Sequence, residues 1–122
     1  MNRILRAALF CLSFLVVFGF QLSCADHDFP TYNCPDNEVS YLEDIKPILE
    51  SKCAISGCHN GSLGADRDWS NFAVFQENAQ HGNVKNFVVN RIMPPASSPK
   101  GGLSQDQINA IACWIDDDAP NN

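Results

Sequence analysis

Cys53-Ala54-Ile55-Ser56-Gly57-Cys58-His59 places an imidazole directly after the second of two closely spaced thiols. Covalent haem attachment needs this set of groups. The thiols add to the two vinyl groups, and the next side chain turns under the iron as an axial ligand. The usual signature has two residues between the cysteines, whereas four stand here. Ser56-Gly57 supply the freedom for the longer spacer to bulge outward. The surroundings of the motif therefore decide how it is read.

The 122 residues leave room for one domain. Residues 1–24 stand apart from it as a signal peptide. Arg3 and Arg6 precede an uncharged apolar run from Ala7 to Phe20, which has the length of a secretory signal core and is short for a membrane span. An uncleaved membrane anchor is the alternative. Ser23 and Ala25 are spaced for cleavage before Asp26. Alternatively, Leu22-Ser23-Cys24 resembles the end of a bacterial lipobox, in which Cys24 becomes the lipidated first residue, although Gln21 stands where an aliphatic residue is usual. Both routes put the mature chain outside the cytoplasm, in the periplasm or cell envelope, the second with a lipid attachment to the membrane.

Beyond residue 24, six Lys and Arg remain against fourteen Asp and Glu, so 6 − 14 = −8. Such a surface repels nucleic acid and suits a basic protein partner, besides keeping the chain soluble.

Residues 25–39 carry Pro30, Pro35 and four acids and read as an extended arm or tether. Residues 40–122 read as all-α with long loops, since no alternating strand pattern of useful length occurs. The closing helix, over residues 104–118, is the best specified. Ser104 and Gln107 form a capping box, and Leu103 and Ile108 occupy hydrophobic-staple positions. Ile108, Ile111, Ala112 and Ile115 make one apolar stripe. Asp116, Asp117 and Asp118 read as a solvated acidic tip, against the preference of the helix dipole. Over residues 40–52, Leu42, Ile45, Ile48 and Leu49 keep helical spacing. Ser40 with Glu43 offers a capping box, and Asp44 is an alternative cap that would put Pro47 in the first turn. A kinked or two-step helix satisfies both. A weaker helix is expected over residues 70–80, with Phe72, Val74, Phe75 and Ala79 on its apolar side.

A core of this size is modest, and the loops between residues 57 and 103 are expected to need a large apolar prosthetic group. Phe72, Phe75, Phe87, Val88, Val89, Ile92 and Trp114 are candidates to line it, each otherwise an ordinary core residue. Met93 is the one methionine beyond the initiator and precedes Pro94-Pro95, which restrict its backbone. A thioether opposite His59 would raise the potential of haem iron. His81 is the next candidate ligand, in a stretch that reads as surface, and His27 lies in the arm.

From about Ser40 to Asn122 the chain resembles a class I c-type cytochrome domain. The likeness rests on a helix leading into Cys53-x4-Cys58-His59, a loop carrying Met93-Pro94-Pro95 and a closing amphipathic helix with Trp114. It implies a cytochrome c-like fold of three or more helices around one covalent haem c. It further implies thioethers on Cys53 and Cys58, His59 as proximal and Met93 as distal iron ligand, and crossing first and last helices. The implied work is electron transfer by Fe(III)/Fe(II) cycling with redox protein partners, without enzymatic catalysis. Two alternatives remain. One is a haem enzyme or gas-binding protein with an open distal site. The other is a haem-free interaction module stabilised by disulfide or zinc. Cys34 and Cys113, the cysteines of the mature chain that remain after the motif and Cys24 are assigned, are expected to form a disulfide outside the cytoplasm and tie the arm to the last helix.

Overall fold

The computed structural model describes residues 31–122. The leader, the lipidation candidate Cys24 and the early arm with His27 lie outside the described residues. From residue 31 the chain is all-α, with no strand among the described residues and one isolated antiparallel bridge between Asn60 and Asp68.

Helix α1 (residues 41–53) is a continuous run of three pieces, Tyr41–Ile45, Lys46–Ile48 and Leu49–Cys53, of which the outer two are π-helical. Ser40 caps it by accepting the Glu43 amide at 3.3 Å. The reciprocal acceptor is Asp44, which takes the Ser40 amide at 2.9 Å, and not the expected Glu43. The wide first turn explains the change. The Ile45 amide reaches back five residues to the Ser40 carbonyl, which sets the side chain of residue 44 over the cap. Pro47 lies inside the helix, and the wide turns on either side take up the distortion of its ring. The expected two steps are thus changes of register within one helix.

Asn71 caps α2 (Phe72–His81) by accepting the Ala73 amide, and Phe75 and Ala79 point fully inward. A short helix, α3 (Val84–Val89), follows where only loop was expected. Its Val84 and Val88 are buried while Phe87 faces out. Helix α4 (Gln105–Asp116) has both capping-box bonds, at 3.2 Å and 3.0 Å between Ser104 and Gln107. Leu103 and Ile108 are both buried at its start. Trp114, and not Ile115, completes the buried stripe of Ile108, Ile111 and Ala112; Ile115 is half-buried.

Helices α1 and α3 both pack on α4, and α2 on α3. Aromatic rings fill the interior between them. Phe75 stacks on Trp114 at 5.4 Å, Tyr41 meets Phe72 at 4.5 Å, and Trp114 lies 5.7 Å from Tyr41. Each fully buried large side chain contributes roughly 1.5–3 kcal/mol. This core closes from the chain's own side chains. Phe75, Val88 and Trp114, expected as possible prosthetic-group lining, are interior residues of it.

Residues 31–39 run extended along α4 and are fastened to it. Cys34 and Cys113 form a disulfide, the Asn33 amide donates to Asn109, and the Tyr32 hydroxyl and Lys85 ammonium both bind the Asp116 carboxylate. The Lys85 ammonium also lies 4.7 Å above the Tyr32 ring. Asp116 is therefore a latch and not a solvated tip. At the far end of α4, Trp114 donates to the Pro120 carbonyl, and Asn122 Oδ1 accepts the Tyr41 amide at 2.7 Å. The Asn122 carbonyl oxygen accepts the Leu42 amide as well, so the first helix is capped in part by residue 122.

Candidate functional site

Helix α1 ends at Cys53, whose side chain is buried. The chain then folds back on itself. The Ala54 amide donates to Leu49, the Cys58 amide to Ile55 at 3.0 Å, and the His59 amide returns to the Cys53 carbonyl at 3.0 Å. The four-residue spacer is thus a closed loop that gathers Cys53, Cys58 and His59 at one helix end. Gly57 permits the turn, with φ at +78° and nothing within 4 Å of where a Cβ would stand. The additional residues therefore bulge into open space.

Both thiols are free. Burial, then the neighbouring Cys58, push the Cys53 thiol up to about 11 against the opposing pull of Lys52. Burial, then the positive charge of Arg67, hold His59 below its ordinary value. The imidazole is accordingly neutral at neutral pH, the form that can bind a metal. Its face lies on the Trp69 indole, with ring centroids 3.6 Å apart and planes 9° from parallel. The Trp69 amide donates to the His59 carbonyl at 2.9 Å, closing the intervening glycine-containing loop. Nδ1 of His59 and Nε1 of Trp69 are both buried without a hydrogen-bond partner.

Met93 is placed elsewhere. Its amide and that of Ile92 both donate to the Phe87 carbonyl, making a tight turn after α3. Arg91, at φ +57°, fastens this turn to the start of α4 through the Leu103 carbonyl and Gln105. Met93 lines a cavity of about 140 Å³ with Leu103 and Ile108, and none of Cys53, Cys58 and His59 borders it. A larger cavity, about 330 Å³, lies beside the Cys34–Cys113 disulfide and Trp114, again away from the motif. Met93, Phe87 and Ile92 are all well exposed, so the turn presents a large apolar surface. Lys52 reaches the Lys100 carbonyl at 2.5 Å and ties the end of α1 to the loop between Met93 and α4. His81 is an exposed residue near Glu77.

The donor set at the end of α1 fits a covalently held haem. Two unpaired thiols flank the loop, and burial of Nδ1 leaves Nε2 as the nitrogen available to iron. The indole covers the face of the imidazole, whereas an iron bond lies in the ring plane, so the stacking does not compete with ligation. Closed zinc sites want four ligands, and no group of three His, Cys, Asp or Glu among the described residues is placed to hold a metal ion. No family model, curated protein or solved structure matches the chain.

Sequence reasoning missed Trp69 and Arg67. Trp69 stacks on His59 and Arg67 acts on it through its charge, both from a segment where no periodicity marks them. The one available signal for Trp69 was its chemistry, a tryptophan in an otherwise polar glycine-containing stretch soon after a candidate ligand.

Proposed function

We propose that this chain is an extracytoplasmic monohaem c-type cytochrome that carries electrons, with a cytochrome c-like arrangement of helices α1 and α4. The observation that carries the reading is the division of its cysteines. Cys34 and Cys113 are joined in a disulfide while Cys53 and Cys58 remain free beside a neutral, partly accessible His59. Outside the cytoplasm spare thiols tend to pair with each other, so two unpaired ones flanking an imidazole suit a covalent partner of another kind.

Cys53 and Cys58 would hold the haem as thioethers, and His59 would bind its iron as proximal ligand, with Met93 as the distal candidate. When bound, the group supplies a one-electron Fe(III)/Fe(II) couple. The Trp69 indole holds the imidazole plane and excludes water from one of its faces, and burial with the Arg67 charge keeps His59 unprotonated. The exposed apolar surface of Phe87, Ile92 and Met93 offers a cover for an apolar macrocycle. Redox partners would meet a strongly acidic surface and so present a basic face.

One observation favours a second reading, a haem protein with an open distal position. Met93 shares no cavity with the attachment residues. Carbon monoxide binding to the reduced protein at neutral pH would support that reading and count against the His/Met carrier.

The test of the first reading is a pyridine haemochrome spectrum of full-length protein from a haem-maturing host, with a denaturing mass measurement. The expected mass includes one haem. A denatured chain lacking it defeats the covalent cytochrome reading.

A further inference from the structure

We infer that Trp69 is the positioning residue for His59, setting the plane of its imidazole by stacking and leaving Nδ1 without an acceptor. The consequence for electron transfer rests on the haem reading above; the stacking itself does not.

A metal-bound imidazole usually gives its second N–H to a carbonyl, carboxylate or water, which orients the ring and makes it a stronger donor. His59 lacks that partner, because its Nδ1 is buried with no hydrogen bond. Its orientation comes from another source. The Trp69 indole lies on the imidazole at 3.6 Å and nearly parallel, and the two residues are also joined through the main chain at 2.9 Å. Trp69 is itself about nine-tenths buried, and its own Nε1 is unpaired. Its side chain is therefore held by packing alone. Phe75 backs it at 5.1 Å and is stacked in turn on Trp114 of α4. The plane of the ligand is thus referred to the centre of the core through a series of rings.

Two effects follow for a bound haem. The imidazole cannot rotate about its Cβ–Cγ bond without displacing the indole, so its plane would stay fixed towards a group bound at Nε2. Without an acceptor at Nδ1 it is also a weaker donor, which favours ferrous over ferric iron and raises the potential. The Arg67 charge acts in the same direction.

The test compares W69F and W69L with the wild type as full chains. In haem-loaded protein, W69L should lower the reduction potential and alter the spread of haem-methyl shifts in the ferric NMR spectrum. W69F, which retains a flat ring, should keep the methyl pattern close to wild type. An unchanged potential and methyl pattern in W69L overturns the inference. In haem-free chain, the His59 ring protons should be shifted upfield by the indole, and W69L should abolish the shift. Ring protons at unshifted positions in the wild type overturn the inference equally. A chain that carries no haem defeats the carrier reading by itself, and the haem-free measurement still decides the role of Trp69.

Discussion

Replacing both Cys34 and Cys113 by alanine removes the cross-link without leaving a thiol to mispair with Cys53 or Cys58. The bond joins residues 79 apart. In the chain-entropy treatment, a loop of that length adds about 4.5 kcal/mol to stability by restricting the unfolded chain. The measured loss should be smaller, because the unfolded chain keeps residual structure that the cross-link does not have to restrict, and a loss of about 2–4 kcal/mol is expected. Urea unfolding of the variant beside the wild type, both from the same host and with the same haem content, reads it. The midpoint should fall and the slope should steepen, since the uncross-linked chain exposes more surface on unfolding. Thermal unfolding should drop by roughly 8–32 °C at about 4–8 °C per kcal/mol for a domain of this size. A loss under about 1 kcal/mol with an unchanged slope would refute the assignment of the arm as a covalent strap.

Ser104→Ala removes the bond that the Gln107 amide donates to the Ser104 hydroxyl at the start of α4 and should cost about 1 kcal/mol in urea unfolding; Ser104→Asp should restore most of it, and equal stability of all three would discount the cap. The Lys85–Asp116–Tyr32 latch should show a pH window. For Asp116, burial raises and the Lys85 and Tyr32 hydrogen bonds more than offset it, leaving the carboxyl below its ordinary value, so its contribution is present above about 3.8 and lost as pH falls further. For Lys85, burial lowers and the bonds to Asp116 and Tyr32 prevail, leaving the ammonium above its ordinary value, so its contribution is present below about 10.5 and lost as pH rises through the folded value. The Lys85 and Asp116 side chains are 34% and 44% solvent-exposed, so Lys85→Met should cost only about 0.5 kcal/mol at pH 7. A cost that does not shrink at pH 3 would contradict the latch. In haem-free protein, the Cys53 thiol, pushed from 9.0 up to about 11, should have a thiolate fraction about a hundredfold lower at pH 8 than an unperturbed thiol. Iodoacetamide should label it at least about tenfold faster in urea than in the folded chain, and equal rates would argue against its burial.

What could be read in the sequence was what depends on neighbours in the chain. The α4 start is local chemistry, with Ser104, Gln107, Leu103 and Ile108 all within five residues of each other, and its capping geometry is as the spacing predicts. The gathering of Cys53, Cys58 and His59 is likewise local, closed across the spacer by the hydrogen bond that the His59 amide donates to the Cys53 carbonyl. The unread parts depend on distant partners. Helix α3 has six residues rich in valine, too short for periodicity to show, and forms because Val84 and Val88 find the face of α4. The choice of Asp44 over Glu43 at the first cap follows from a π turn that no residue pattern announces. Trp69 meets His59 across a loop, and Asp116 finds Tyr32 across most of the chain. The distal side was read from Met93-Pro94-Pro95 alone, and the turn holding it answers to Phe87 and Arg91 instead.

The meeting of Asn122 with residues 38–42 has a topological consequence. Asn122 bonds to Glu38, Val39, Ser40, Tyr41 and Leu42, so the path from residue 38 to residue 122 begins and finishes in one place. A circular permutant that bridges these positions with a short linker and opens between Pro95 and Lys100 should therefore retain all four helices. In that molecule α4 would be synthesised ahead of Cys53 and Cys58, with the order of the helices changed and the Cys34–Cys113 bond given up with the arm.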